Sequence, residues 1–486
     1  MSQQSPLFFR LPESSHLSLR NQVCEMISSA ITTKSMSLDR PLPSCRLLAE
    51  QLGVSRNTVF AAYTQLIDLG LLVARDRSGY YVNPDVYELA EMPVMLDVAT
   101  DDAPAPVQFA PSTMIPIDNP VDWTRYPYPF IYNQIDPNLF PVDGWRECSR
   151  LVLGRKNIPL LMGDSVESDS PNLIEQLRQR LLATRGIFAD PSEILITLGA
   201  QNALSVLGML FAQFDNPIAV ENPGFLGGFN AFQMAGNTLK GVPVDQDGLI
   251  PSAIPDGVKL VFTTPSHQFP TMVTMTQARR EELLATANAK DFLIIEDDYE
   301  AEMNYLARSS PSLRAMDRHQ RVIYVGSFSK TVSPGIRVGF IVAHRDIIRE
   351  ARIVRGTMFR HPPNLLQEMI AIFIRLGHYD AHLRNIERRY KKRWQAMLDA
   401  IAMHLPMLEN TRNMGGTSFW LTGPDHFDAT LLREKLRERG VLIDKGQSFF
   451  LEGDRKNCFR LGFAFVPISK LEDGIRIIAE EVKKLL

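Results

Sequence analysis

The chain has 486 residues, of which 45% are hydrophobic and 22% charged, and a formal net charge of −3. That is length for two or three domains around a sizeable core, in a composition that excludes a disordered or fibrous protein. The charge excludes a uniformly basic nucleic-acid coat, so any such contact has to come from a local patch.

No apolar run reaches the length of a membrane span. The N-terminal stretch carries Pro6, Pro12 and Glu13 and lacks a basic-then-apolar signal pattern. Cys24, Cys45, Cys148 and Cys458 are scattered without metal-ligand spacing, which predicts free thiols, no metal and a cytoplasmic protein.

Leu19, Val23, Met26, Ile27, Ala30 and Ile31 recur at helical spacing and predict a first amphipathic helix. Ser44 can cap a short second helix, Cys45 to Leu52, which Gly53 ends. Ser55 can cap a third, Arg56 to Leu69, whose apolar face is Val59, Ala62, Tyr63 and Leu66. Leu71 to Ala74 and Tyr80 to Val82 read as strands around a turn at Gly79. Three helices and a hairpin describe a winged helix-turn-helix, with Arg56, Asn57 and Thr58 at the N-terminus of the third helix, where base edges and phosphates are met. A plain three-helix packing module fits the same pattern.

From Asn83 to Asn119 the periodicity disappears, prolines accumulate and Asp97, Asp101 and Asp102 make the stretch acidic, the signature of an extended linker. Glu88 to Leu96 also suits a helical turn of the following domain.

Beyond Val121, short apolar runs at Ile194–Thr197, Ile218–Val220, Lys259–Thr263, Phe292–Glu296 and Val322–Val325 alternate with helical patterns. Such runs predict strands buried on both faces, hence a mostly parallel sheet between helices, with ligands at the carboxyl ends of the strands. The residues after each run therefore matter most. Gly199, Ala200 and Gln201 open a helix and let backbone N–H groups approach a phosphate. Phe225 places an aromatic ring after the second run, where core packing is the simpler role. His267 after the third reads as a structural hydrogen-bonding residue.

The fourth run ends in Glu296, Asp297, Asp298, Tyr299 and Glu300, carboxylates that repel one another unless something cationic compensates. A pyridinium nitrogen is such a group, and a metal ion is the competing one. After the fifth run come Ser327, Ser329, Lys330 and Arg337. A lysine aimed into a site serves a carbonyl or an anion, and two hydroxyls with an arginine fork suit a phosphate. An aldehyde and a phosphate on one ring suggest pyridoxal 5′-phosphate.

Two resemblances give these pieces a frame. Leu42-Pro43-Ser44-Cys45-Arg46 through Gly53-Val54-Ser55-Arg56-Asn57-Thr58-Val59 resembles the GntR-type winged-helix motif, over roughly residues 17–83. The resemblance implies double-stranded DNA as partner, contacted by Ser44, Arg46, Arg56, Asn57 and Thr58, with the wing at Gly79 reaching the minor groove. Pro41 stands where that family has an arginine. Through Val82 the module holds eight Lys or Arg against six Asp or Glu, so one copy alone should bind DNA weakly and a dimer more strongly.

Residues 121–486 resemble fold-type I aminotransferases, and this implies roles. Lys330 would form an internal aldimine with pyridoxal 5′-phosphate, Asp297 would pair with the ring nitrogen, Tyr299 would bond the ring hydroxyl and Phe225 would stack. Gly199, Ala200 and Gln201, with Ser327, Ser329 and Arg337, would hold the phosphate. Arg460, in Cys458-Phe459-Arg460-Leu461-Gly462, would grip a substrate or effector carboxylate. This chain departs from that pattern at Met272 in place of glycine, at Phe225 without a hydroxyl, at Met162 in place of a tyrosine and at Ile174 in place of an arginine.

The whole arrangement resembles the MocR family. The expected fold is an α+β winged helix-turn-helix domain (1–83), a linker (84–120) and an α/β fold-type I aminotransferase-like domain (121–486), whose small subdomain includes about 345–486. The resemblance implies a homodimeric, pyridoxal-phosphate-dependent transcriptional regulator that senses an amine, an amino acid or the cofactor itself. A working aminotransferase with a DNA-binding module is the alternative, and an inert dimerisation scaffold a third reading.

Overall fold

Alternating caps and apolar stripes segment the first unit into the elements its sequence predicts. The computed structural model describes residues 17–88, 114 and 119–486, apart from 77, 133–134, 213–216, 307–309 and 454. It separates into two compact units, Met1–Ala110 and Pro111–Leu486. Most of the proline-rich connector, with the helical turn expected from Glu88 to Leu96, lies outside the described residues; a short helix, Pro84–Glu88, ends the described part.

In the first unit α1 is Leu19–Thr32, α2 Cys45–Leu52 and α3 Arg56–Asp68. The Ser44 hydroxyl accepts the Leu47 N–H at 3.3 Å, and Ser55 accepts the Thr58 N–H at 3.1 Å, so both helices start at side-chain caps. Gly53 ends α2 at φ 68°, the left-handed conformation that glycine adopts at least cost. Strands β1 (Leu72–Arg75) and β2 (Gly79–Val82) pair antiparallel, Leu72 opposite Val82. Val23, Ile27, Leu48, Val59, Tyr63 and Leu66 are fully buried between the helices. Each contributes about 1.5–3 kcal/mol by leaving water. The Tyr63 hydroxyl bonds the Pro43 carbonyl at 2.8 Å and fastens the residues before α2 onto α3.

In the second unit the strands are β3 (Tyr128–Phe130), β4 (Ile194–Thr197), β5 (Ile218–Asn222), β6 (Leu239–Asp245), β7 (Gly248–Leu249), β8 (Leu260–Thr263), β9 (Leu293–Asp297), β10 (Val322–Ser327), β11 (Gly339–Val342), β12 (Glu409–Asn410), β13 (Ser418–Thr422), β14 (Val441–Lys445) and β15 (Cys458–Gly462). The large sheet runs β4-β11-β10-β9-β8-β5-β6-β7. Its neighbours from β10 to β6 are parallel, while β4, β11 and β7 pair antiparallel. The mostly parallel sheet is therefore present, as a mixed one.

Three strands are longer or shifted relative to their apolar runs because pairing, not hydrophobicity, sets their ends. β5 continues through Glu221 and Asn222 opposite Val242 and Pro243 of β6. β10 continues through Gly326 and Ser327 because β11 covers them. β9 extends to Asp297, which lies level with Val325.

The small sheet is β12-β13-β15-β14-β3. β3 joins β14 in parallel, Tyr128 beside Val441, so a segment from the start of the unit closes a sheet built from its end. The helices His378–His404 and Ile468–Leu485 pack on this sheet around Trp394, Phe419, Phe459 and Ile475. Among the described residues no helix is long and apolar enough to cross a membrane.

Candidate functional site

The carboxyl ends of β4, β9 and β10 converge on one cavity of about 250 Å³. Its walls are Tyr132, Ala200, Gln201, Phe225, Gly227, Thr264, Phe269, Asp297, Tyr299, Ser327, Ser329, Lys330 and Arg337. Nine of these are residues singled out in the sequence; Gly199 adjoins them as the N-cap of the helix Ala200–Phe211.

The three consecutive acids part company because β-strand side chains alternate. Glu296 faces away and accepts the Leu313 and Arg314 N–H groups at 2.8 and 2.9 Å. Asp298 pairs with Arg185 at 2.7 Å and accepts the Tyr324 hydroxyl at 3.0 Å. Asp297 alone faces the cavity, buried, and its Oδ1 has no hydrogen-bond partner among the described residues. Burial, with Asp298 and Glu221 nearby, pushes its pKa up to about 8, against a small opposing pull from Lys330. A carboxyl in that condition is held protonated near neutral pH and ionises only where a cation comes to its oxygen. Among the described residues no group of three or more His, Cys, Asp or Glu is placed to hold a metal ion.

Lys330 lies just past β10 with its side chain buried. Nζ is 4.3 Å from the centroid of the Tyr132 ring and 4.0 Å from Glu300 Oε1. Burial lowers its pKa to about 8, with Glu300 opposing the fall. A lysine so placed holds far more free amine near neutral pH than an ordinary lysine, and that is the form that attacks a carbonyl.

At the other end Arg337 sits at φ 53° and donates Nη2 to the Leu198 carbonyl at 2.8 Å. This lays its guanidinium over Gly199. A Cβ at that glycine would stand 3.1 Å from Arg337 Nη2, and its φ is 82°. Ser327 Oγ accepts the Ser329 N–H at 3.1 Å and lies 3.0 Å from Ser329 Oγ, so both hydroxyls share the cavity rim. Hydroxyls, a guanidinium and the first turn of a helix are the kinds of groups that can bind a compact dianion.

Arg460, on β15, is 2% exposed. Its guanidinium carbon lies 5.1 Å from the Phe269 ring centroid and 5.4 Å from that of Tyr132, both cavity walls. Its Nη1 donates to Asp444 Oδ2 at 3.0 Å, a pairing that follows from register, since Asp444 of β14 lies opposite Arg460. Asp444, Tyr132, Phe269, Glu300 and Thr264 have no role in the sequence reading. Tyr132 and Asp444 carry no local signal; Glu300 stands among the acids that end the fourth run, and Phe269 lies two residues after His267.

The departures resolve differently. Ile174 is buried against Leu173 and Leu177 in the core, and Met162 is 82% exposed. Met272 holds φ 63°, where glycine is favoured, fully buried with Sδ 3.8 Å from the Tyr299 hydroxyl. His267 is buried with neither ring nitrogen partnered among the described residues.

In the first unit Arg46, Arg56 and Asn57 are exposed around the N-termini of α2 and α3. The hydroxyls of Ser44 and Ser55 are engaged as caps, and Thr58 Oγ1 lies 2.8 Å from Ser55 Oγ. Gly79 opens β2 at φ 109°. The Arg75 guanidinium lies 4.3 Å from the Tyr81 ring centroid.

Comparison with known proteins agrees with both halves. Residues 19–82 match the model for bacterial regulatory proteins of the gntR family, and residues 163–478 that for aminotransferase class I and II. The HTH-type transcriptional regulator TauR of Rhodobacter capsulatus is 38% identical over 96% of this chain and 97% of its own length. The probable rhizopine catabolism regulatory protein MocR of Rhizobium meliloti is 30% identical over 94% of this chain and 92% of its own. Among solved structures, the α-aminoadipate aminotransferase LysN of Thermus thermophilus, complexed with N-(5′-phosphopyridoxyl)-L-leucine, superposes with a TM-score of 0.69 at 27% identity. The match covers 75% of this chain and 94% of that one. With a gntR-family winged helix joined to a class I aminotransferase fold, and likeness to such regulators along nearly its full length, the chain belongs to the MocR family of transcriptional regulators.

Proposed function

We propose that this regulator binds pyridoxal 5′-phosphate in the β4–β9–β10 cavity, with Lys330 as its covalent tether, and reads an amine or amino acid there to set its hold on DNA. The observation that carries the reading is Asp297: a buried carboxyl with an unpartnered oxygen, facing the cavity that Lys330 also lines. A protonated ring nitrogen is the cation it lacks. Bound there, the group would supply an aldehyde that a primary amine captures and a ring that draws electrons from it.

The chain's own residues divide the remaining work. Ser327, Ser329, Arg337 and the backbone from Gly199 to Gln201 suit the phosphate. Tyr299 suits the ring hydroxyl, and Phe225 covers a face. Burial keeps the Lys330 amine partly unprotonated. Arg460 lies against the cavity walls Tyr132 and Phe269 and, beside Lys330 in an adjoining small pocket, suits an anionic group on the effector. Arg46, Arg56, Asn57 and the residues around Gly79 suit DNA, and two modules in a homodimer would supply the affinity that one lacks.

The test follows binding of the protein to DNA from its own upstream region, with and without pyridoxal 5′-phosphate, as amines are added. Amine-dependent change in the loaded wild type, lost in Lys330→Ala and Asp297→Asn, supports the reading. No DNA binding at moderate salt, or an identical response in Lys330→Ala, overturns it. The same pocket geometry also favours a second reading, a working aminotransferase. Sustained turnover with an amine donor and a keto-acid acceptor would establish that one.

A further inference from the structure

Glu300 stands three residues past Asp297, beyond β9 of the large sheet, and is 1% exposed. Among the described residues it is the one carboxylate within 4.0 Å of Lys330 Nζ. Its oxygens are also held from the other side. The Thr417 N–H donates to Oε2 at 3.1 Å and the Thr417 hydroxyl to Oε1 at 2.6 Å. Thr417 immediately precedes β13 of the small sheet, and its carbonyl accepts the Phe463 N–H at 3.0 Å, just past β15, which carries Arg460.

The backbone around this contact is built for close approach. The Gly416 N–H donates to the Met303 carbonyl at 2.7 Å, and the Tyr305 N–H to the Met414 carbonyl at 3.0 Å. A Cβ on Gly415 would stand 2.0 Å from the Met303 oxygen, and one on Gly416 2.1 Å from Met272 Cε and 3.3 Å from Glu300 Oε2. One buried carboxylate thus bridges the lysine of the large sheet and the residue that leads into a small-sheet strand.

We propose that Glu300 is a positioning residue that reports to the small sheet whether Lys330 carries a free ammonium. This rests on the reading above, in which Lys330 is the tether. On loading, the Lys330 ammonium and the aldehyde of pyridoxal 5′-phosphate join as a carbon–nitrogen double bond, releasing one water and one proton. Glu300 then loses its full cationic partner, and a buried carboxylate left in that state leans on its remaining donors, both from Thr417. When an effector amine replaces Lys330 in that bond, the proton of the incoming ammonium ends on the lysine and no water is consumed. The ammonium returns beside Glu300 and competes with Thr417 for the same oxygens. The state of the pocket is thereby written into the position of β13 and β15.

The test uses full-length wild type, Glu300→Gln and Thr417→Val, each with and without pyridoxal 5′-phosphate as the probe. Capture is read from visible absorbance, and the small sheet from hydrogen exchange at residues 414–422 and 458–463. Wild type should capture the probe and change protection in these segments about tenfold. Both variants should capture it with a change below about twofold. Thr417→Val removes one donor to Glu300 but keeps the Glu300 and Lys330 side chains themselves, so it answers the question if Glu300→Gln folds poorly. Capture with an unchanged small sheet in wild type, or an equal change in both variants, overturns the inference. No capture in wild type instead removes the cofactor reading beneath it.

Discussion

Arg460 packs behind the cavity walls Tyr132 and Phe269 already paired: its Nη1 donates to Asp444 Oδ2 at 3.0 Å, while its Nε has no partner among the described residues. Asp444 therefore orients the guanidinium and neutralises much of its charge before any ligand arrives. An anion entering the cavity gains the free edge of the arginine but meets a carboxylate behind it.

Asp444→Asn should keep the hydrogen bond and remove the opposing charge. Affinity for amines that carry a carboxylate or sulfonate is expected to rise about tenfold, roughly 1.4 kcal/mol, with little change for amines lacking an anion. The protein without ligand should lose thermal stability, because a buried arginine is left without a counter-charge. Titration of the loaded protein with paired amines, one of each kind, checks the first point; a thermal melt checks the second. Equal changes for both amines would deny Asp444 this role.

Lys330 titrates near 8 rather than at its usual 10.5, because burial disfavours the ammonium more than Glu300 favours it. Lowering the pKa of a base exposes its nucleophilic form at lower pH. Capture of pyridoxal 5′-phosphate should therefore quicken as pH rises toward about 8 and level off above it. Rates from stopped-flow absorbance test this across the pH range. A rate that keeps climbing steeply from about 8 up to the ordinary lysine value would contradict it.

Gly199→Ala tests the phosphate seat. A Cβ there meets Arg337 Nη2 at 3.1 Å on a backbone at φ 82°. The substitution should destabilise the protein by about 1–2 kcal/mol and weaken capture of pyridoxal 5′-phosphate about tenfold or more. Free pyridoxal lacks the phosphate, so its capture should change far less. An equal loss for both compounds would place the damage elsewhere.

Arg56→Ala removes an exposed cation at the start of α3. Loss of a phosphate contact should weaken binding to all sequences alike and lower the slope of log affinity against log salt by about one per module. Loss of a base contact should instead cost about 1–3 kcal/mol on the preferred site alone. Fluorescence anisotropy on specific and scrambled DNA separates the two outcomes. No change in either would remove Arg56 from the interface.

The sequence made the cavity floor readable because Asp297 and Ser327 close, and Lys330 follows, β-branched runs, and such runs end where a parallel sheet binds its ligands. α2 and α3 were readable because Ser44, Gly53 and Ser55 are caps, and caps act on their own helix. What escaped depends on pairings distant in the chain. Tyr132 follows β3, which finds β14 from the far end of the unit. Asp444 meets Arg460 only once the β14–β15 register is known. Glu300 was visible as one acid among several; only the close approach of Gly415 and Gly416 shows that it faces Thr417. Strand ends moved for the same reason, since hydrophobicity marks a strand's middle and its neighbours mark where it stops.

The most direct measurement is the site of covalent capture. The full-length protein is incubated with one equivalent of pyridoxal 5′-phosphate, reduced with borohydride and digested, and the phosphopyridoxyl group is located by mass spectrometry. Near-stoichiometric label is expected on Lys330, and none at other positions in Lys330→Ala. Label spread over surface lysines, or equal label in Lys330→Ala, would contradict it.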